Sequence, residues 1–193
     1  AGDIGPLGKH LAPMGPLARE EAQEAFREQI ASLVTTEPAG VDLLRIETIT
    51  DIKEVTAAVN AARSVVPDIP IIAQMTFTRE DRTLLGNTPD EVATQVAKLD
   101  VDAVGVNCSS GPAQILRLIT IMQQAQPELS ISAVPNAGWP DPLRAGRVMY
   151  PATPAYFGDY ARSFAAAGAN VIGGCCGTNA APRAALRAAR DTP

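Results

Sequence analysis

Three residues hold the reactive chemistry of this 193-residue chain: Cys108, which closes the stretch AVGVNC, and the adjacent Cys175 and Cys176 in VIGGCCGTN. The chain has no other cysteine. A disulfide between sequence neighbours is strained. Gly173, Gly174 and Gly177 around the pair mark backbone that must bend and come close to something. Three thiolates with one exchangeable ligand make a good tetrahedral zinc site. The same residues admit two other readings. Each cysteine is a small buried hydrophobe, or Cys175 and Cys176 form a vicinal dithiol for metal binding or redox sensing. The dithiol reading leaves Cys108 without a role, and no C-x-x-C spacing decides between them. The sole histidine, His10, lies in a Gly/Pro-rich stretch and is expected to be solvated. One histidine cannot supply a Ser-His-Asp arrangement.

Positions 108 and 175 meet only if the fold brings them together. Short apolar runs are spaced roughly 30–40 residues apart, as in repeated βα units. They are Val41–Glu47, Pro70–Thr76, Ala103–Asn107, Ser130–Val134 and Asn170–Gly173, with a sixth at Ala1–Ile4. Helical patterns lie between them, over Arg19–Val34, Asp51–Ser64, Thr88–Leu99, Pro112–Gln124, Thr153–Ala167 and Ala181–Ala189. TPDEV from Thr88 carries a cap, a first-turn proline and acids, the signature of a helix start. Gly168 is placed to end a helix. The strands read as buried on both faces, as in a parallel sheet.

No G-x-G-x-x-G or P-loop follows any strand, so a nucleotide-binding sheet lacks its main support. Polar or reactive residues follow the strands instead: Glu47, Thr76, Asn107 with Cys108, Asn136, and Cys175 with Cys176. Strand C-terminal ends are where a barrel gathers its site. The expected fold is therefore α/β, a (βα)8 TIM barrel that is incomplete, with about its last six units present across one domain, residues 1–193.

Composition excludes several classes. The net charge is −5 and no Lys/Arg cluster occurs, which argues against nucleic acid as a partner. No apolar run is long enough to span a membrane. AGDIGPLGKH has neither the basic nor the apolar region of a signal peptide, and reads as a start inside a domain. An odd cysteine count with no disulfide framework fits a reducing cytoplasm.

VGVNC, PNAGWP and GGCCGT resemble the three signature stretches of the homocysteine S-methyltransferase domain. AGDIGPLGKHLAPMG, LLRIETITDIKE and PIIAQMTF are most similar to the methyltransferase half of bacterial bifunctional proteins that also carry a methylenetetrahydrofolate reductase domain. The resemblance covers nearly the whole chain. It implies a (βα)8 barrel and a catalytic zinc held by Cys108, Cys175 and Cys176. It implies that Glu47 binds the amino group of homocysteine, and that Asn136 sits near the metal and fills its fourth position without substrate. The implied partners are homocysteine and a methyl donor, with a fused or separate folate, cobalamin or reductase module. S-methylmethionine, betaine and methylcobalamin are not distinguished as donors. The family's opening strands, with a DGAMGT-like stretch, have no counterpart here. The chain alone is therefore expected to have open sheet edges, to be marginally stable or self-associating, and to lack activity.

Other residues are open to more than one reading. On spacing alone, Glu47 could pair with Arg45 or Lys53. Thr76 lines the substrate pocket or caps a strand. Asn107 and Asn136 read as loop-bracing residues. Trp139, the only tryptophan, covers the pocket mouth or anchors a loop. Asp51, Lys53 and Glu54 read as a solvated first helical turn.

Overall fold

Six strands alternate with six helices in the computed structural model, which describes residues 1–36, 40–108, 110–142 and 148–190. In chain order they are β1 (Gly2–Ile4), α1 (Arg19–Val34), β2 (Leu44–Ile49), α2 (Ile52–Val65), β3 (Ile71–Met75), α3 (Pro89–Val96), β4 (Ala103–Asn107), α4 (Pro112–Ala125) and β5 (Ile131–Val134). A two-stranded antiparallel ribbon follows, β6 (Asp141–Pro142) with β7 (Val148–Met149), and then α5 (Pro154–Ala166), β8 (Ala169–Ile172) and α6 (Ala180–Arg190). The main sheet is parallel throughout, in the order β1-β2-β3-β4-β5-β8. The sheet is the α/β arrangement of an incomplete (βα)8 barrel. The outer edges of β1 and β8 pair with no other described strand.

Alternation along each strand sends one set of side chains toward the helices. Leu44, Ile46, Ala73, Val104, Val106 and Ile131 are all buried on that side, with Ala22, Phe26 and Ile30 of α1 in the same core. Those three helical residues stand at i, i+4 and i+8, one stripe of α1. Burying a side chain the size of Phe26 contributes about 1.5–3 kcal/mol. The opposite face is polar. Gln74 of β3 donates to Ser132 Oγ of β5 at 2.7 Å, reaching across β4. The residue between them in register is Gly105, where a Cβ would stand 2.0 Å from the Ser132 carbonyl oxygen. Only glycine leaves that path open.

The caps follow their sequence signals. Thr88 and Glu91 form a capping box at α3. Gly168, at φ 90°, closes α5. Four expectations are corrected. β2 runs to Ile49 rather than stopping at Glu47, with a register shift against β3 between Ile46 and Ile49. α3 ends at Val96, short of Leu99. β8 is not buried on both faces, because it is an outer strand and leaves Val171 38% exposed. Asp51 and Glu54 are each only 5% exposed. Asp51 caps α2 through the Lys53 N–H at 2.8 Å, and Glu54 accepts the Leu7 N–H at 2.8 Å. The β1–α1 connection folds over this turn, and Lys53 Nζ reaches back to the Ala12 carbonyl at 3.3 Å. Burial pushes the Glu54 carboxyl up from its usual range. His10 is exposed, as expected.

Candidate metal centre

The three cysteines meet at the C-terminal ends of β4 and β8. Their sulfurs all lie within 4.8 Å of one another, with Cys108–Cys176 and Cys175–Cys176 at 3.9 Å. None is in a disulfide. Three thiolates about 2.3 Å from a tetrahedral zinc stand about 3.8 Å apart. The sulfur spacing and the all-thiolate donor set therefore fit that ion.

The backbone arranges this closely. Cys108 sits at φ 62°, a left-handed conformation that turns its side chain out of line with β4. Its N–H still completes the sheet, donating to the Val134 carbonyl at 3.1 Å. The Cys175 N–H donates to the Pro135 carbonyl at 2.8 Å, and the Cys176 carbonyl accepts the Ala137 N–H at 2.9 Å. Thr178 donates to the Cys175 carbonyl from both its N–H and its hydroxyl. Gly177, at φ 75°, packs under the Tyr150 ring, where a Cβ would come within 2.3 Å of Tyr150 Cγ. The mutual hydrogen bond with Cys108, then burial, pushes the Cys175 thiol far up; burial and then the charge of Cys108 push Cys176 up. Cys108, Cys175 and Cys176 would give up their protons on holding a cation, so binding it would oppose that upward shift.

The other expected site residues fall around this cluster. Glu47 is on β2, half-buried, and pairs with Arg45 at 3.2 Å rather than with Lys53. Arg45 in turn pairs with Asp3 at 2.9 Å. Burial raises the Glu47 carboxyl above its ordinary value, against the opposing pull of Arg45. Asn136, 2% exposed, accepts the Cys176 N–H on Oδ1 at 3.0 Å, so it braces the vicinal pair. Thr76 lines a 420 Å³ cleft with Thr50, Phe77 and Trp139, and its hydroxyl donates to the Asn107 carbonyl at 3.0 Å. Trp139 lies under the Arg79 guanidinium at 4.4 Å and borders both this cleft and a neighbouring 710 Å³ one. Sequence reasoning missed Tyr150, whose phenol is pushed up by burial and by its hydrogen-bonded neighbour Cys176. Its position after the β6–β7 ribbon gave no local signal.

A profile of the homocysteine S-methyltransferase family matches residues 1–190. The chain belongs to the homocysteine S-methyltransferase family. It is 30% identical over 185 residues to methionine synthase of Mycobacterium tuberculosis, an alignment covering 93% of this chain and 15% of that protein. The apo form of the homocysteine methyltransferase MmuM from Escherichia coli superposes with a TM-score of 0.74 at 25% identity, covering 97% of this chain and 61% of that one. The metallated form of MmuM gives the same TM-score of 0.74 at 26% identity, covering 97% and 60%. The chain thus spans about 15% of the length of the curated relatives it matches. Among the described residues no helix is long and apolar enough to cross a membrane.

Proposed function

We propose that this protein transfers a methyl group to the thiol of homocysteine, giving methionine, with zinc as its cofactor. The observation that carries the reading is the convergence of three thiols within 4.8 Å at the strand ends, on a sheet whose β2 also presents Glu47. Cys108, Cys175 and Cys176 would hold the ion. Zinc bound by three thiolates supplies Lewis acidity that lowers the pKa of an incoming thiol, while the anionic ligand set leaves that sulfur electron-rich enough to attack.

The chain's own residues do the rest. Glu47 accepts the α-ammonium of homocysteine, and its pairing with Arg45 opposes the burial that raises its pKa. Asn136 holds the Cys176 backbone, and with it the geometry of the vicinal pair. Thr76 braces the β4 end beside Cys108 and lines the cleft through which substrate approaches. The substrate thiol gives up its proton, its sulfur lone pair forms the new S–C bond, and the electron pair of the donor's bond to methyl leaves with the donor. Such a donor carries its methyl on a cationic sulfur or nitrogen, or on cobalt, and a folate, cobalamin or reductase module is the corresponding partner. The site of action is the cytoplasm. The reading takes residues 1–193 as one domain, with the edges of β1 and β8 open to the further strands of a closed barrel.

The test is methionine formation from homocysteine with S-methylmethionine, betaine and methylcobalamin in turn, with zinc measured on the same protein. Methionine from at least one donor, lost on chelation and regained on adding zinc, is expected once further strands close the barrel, and none from the 193 residues alone. Stoichiometric zinc with no homocysteine binding at all would overturn the reading.

A further inference from the structure

Asn107 closes β4 and is fully buried directly before Cys108. Its side-chain amide is engaged on every side. Oδ1 accepts the Thr48 N–H at 2.7 Å, and Nδ2 donates to Thr48 Oγ1 at 2.8 Å. Nδ2 also faces Cys175 Sγ at 3.9 Å. Its partners are 59 and 68 residues away in sequence, on β2 and beyond β8. Thr48 follows Glu47 and sits at φ 64°, where the β2–β3 register shifts. A β-branched residue there is strained and persists only when its surroundings hold it. Two hydrogen bonds from one amide do so, and they fix the backbone from which Glu47 projects.

We propose that Asn107 is a positioning residue that sets the span from the amino-acid-gripping carboxylate to the sulfur cluster, and that this span selects homocysteine over the shorter cysteine. The proposal rests on the methyltransferase reading above. An amino acid held by its ammonium at Glu47 and its thiol at the cluster must match the distance between them. Homocysteine and cysteine differ by one methylene. A rigid span discriminates one methylene by about 10–200-fold, whereas a loose one adapts to either. Asn107 ties both ends to a single planar group, with Thr48 on one side and the Cys175 sulfur on the other.

Two variants separate the two arms. Asn107→Asp keeps the size and one acceptor but puts a carboxylate oxygen where Nδ2 faces Cys175 and Thr48. Thr48→Ala removes only the hydroxyl arm. Each variant of the full chain is loaded with Co(II), the sulfur-to-cobalt charge-transfer band is recorded without substrate, and homocysteine and cysteine are then titrated separately. Asn107→Asp should shift the band and cut the preference for homocysteine by about tenfold or more. Thr48→Ala should leave the band in place and reduce the preference in the same direction. A folded Asn107→Asp protein with wild-type cobalt stoichiometry, an unshifted band and an unchanged preference overturns the proposal. If Asn107→Asp does not fold, an undiminished preference in Thr48→Ala overturns it. A wild-type chain that binds no cobalt or no homocysteine removes the methyltransferase reading and this proposal together. Loss confined to the variants bears on the proposal alone.

Discussion

On the helix-facing side of the main sheet, Leu44, Ile46, Ala73, Val104, Val106 and Ile131 are exposed by 1% or less. On the other side β1, β2, β3 and β5 carry Asp3, Arg45, Glu47, Gln74 and Ser132, joined by ion pairs and a side-chain bridge. Gln74 Oε1 on that side is buried without a hydrogen-bond partner among the described residues. The first face is closed and apolar, and its free energy comes from area removed from water. The second carries polar groups on the sheet whose strand ends hold the cysteines. Period-two alternation separates the two functions with no change of scaffold. Variants on the two faces should therefore fail in different ways.

The largest effect is expected at the cluster. Cys108→Ser should lose most bound zinc and lower the rate of methionine formation by about 10³ or more, the loss of a Lewis acid worth several kcal/mol. Its thermal unfolding without added metal should match that of the metal-free wild type. Elemental analysis and calorimetry on the same samples check both halves. On the other face, Phe26→Ala should cost about 3–5 kcal/mol in denaturant unfolding, because α1 loses its largest fully buried side chain. Zinc per folded molecule should not change. A core variant that stayed folded but shed its metal would show that the two faces are not separable.

Smaller effects sharpen the contrast. Glu47→Gln should raise the KM for homocysteine by about ten- to a hundredfold with zinc content intact, since a ground-state contact to the ammonium is weakened. Zinc loss with normal homocysteine affinity would reverse the assigned roles. Glu54 gives the smallest shift. Its folded pKa is raised by burial, so the folded state binds its proton more tightly than the unfolded state does. The cost of ionising it is fully present above the folded pKa and fades as pH falls toward the unfolded value. Glu54→Gln, which keeps an acceptor for the Leu7 N–H, should raise Tm at pH 7 by up to about 3 °C. The gap should close as pH is lowered through that window. A gap that widens on acidification would mean that the carboxylate is stabilised where it sits.

Much of this was legible in the sequence because it is local. Thr88 with Glu91, Gly168, and the apolar runs of β3, β4 and β5 each declare their structure within a few residues. The convergence of Cys108 with Cys175 and Cys176 followed from one topological rule, that barrel strands gather their C-terminal ends. What stayed hidden depends on distant partners. Asp51 and Glu54 read as a solvated turn because nothing nearby in sequence says that the segment around Leu7 folds over them. β2 reads from sequence as stopping at Glu47 because a threonine at positive φ has no sequence signal; the brace that permits it comes from Asn107, 59 residues away. The β6–β7 ribbon is too short to give an alternation pattern, with two residues in each strand.

The most direct measurement is X-ray absorption at the zinc edge of the loaded protein, with and without homocysteine. Three sulfur neighbours at about 2.3 Å without the amino acid, rising to four when it binds, are expected if Cys108, Cys175 and Cys176 hold the ion and leave one position for the substrate thiol. Fewer than three sulfurs in the resting protein, or a count that homocysteine leaves unchanged, would contradict it.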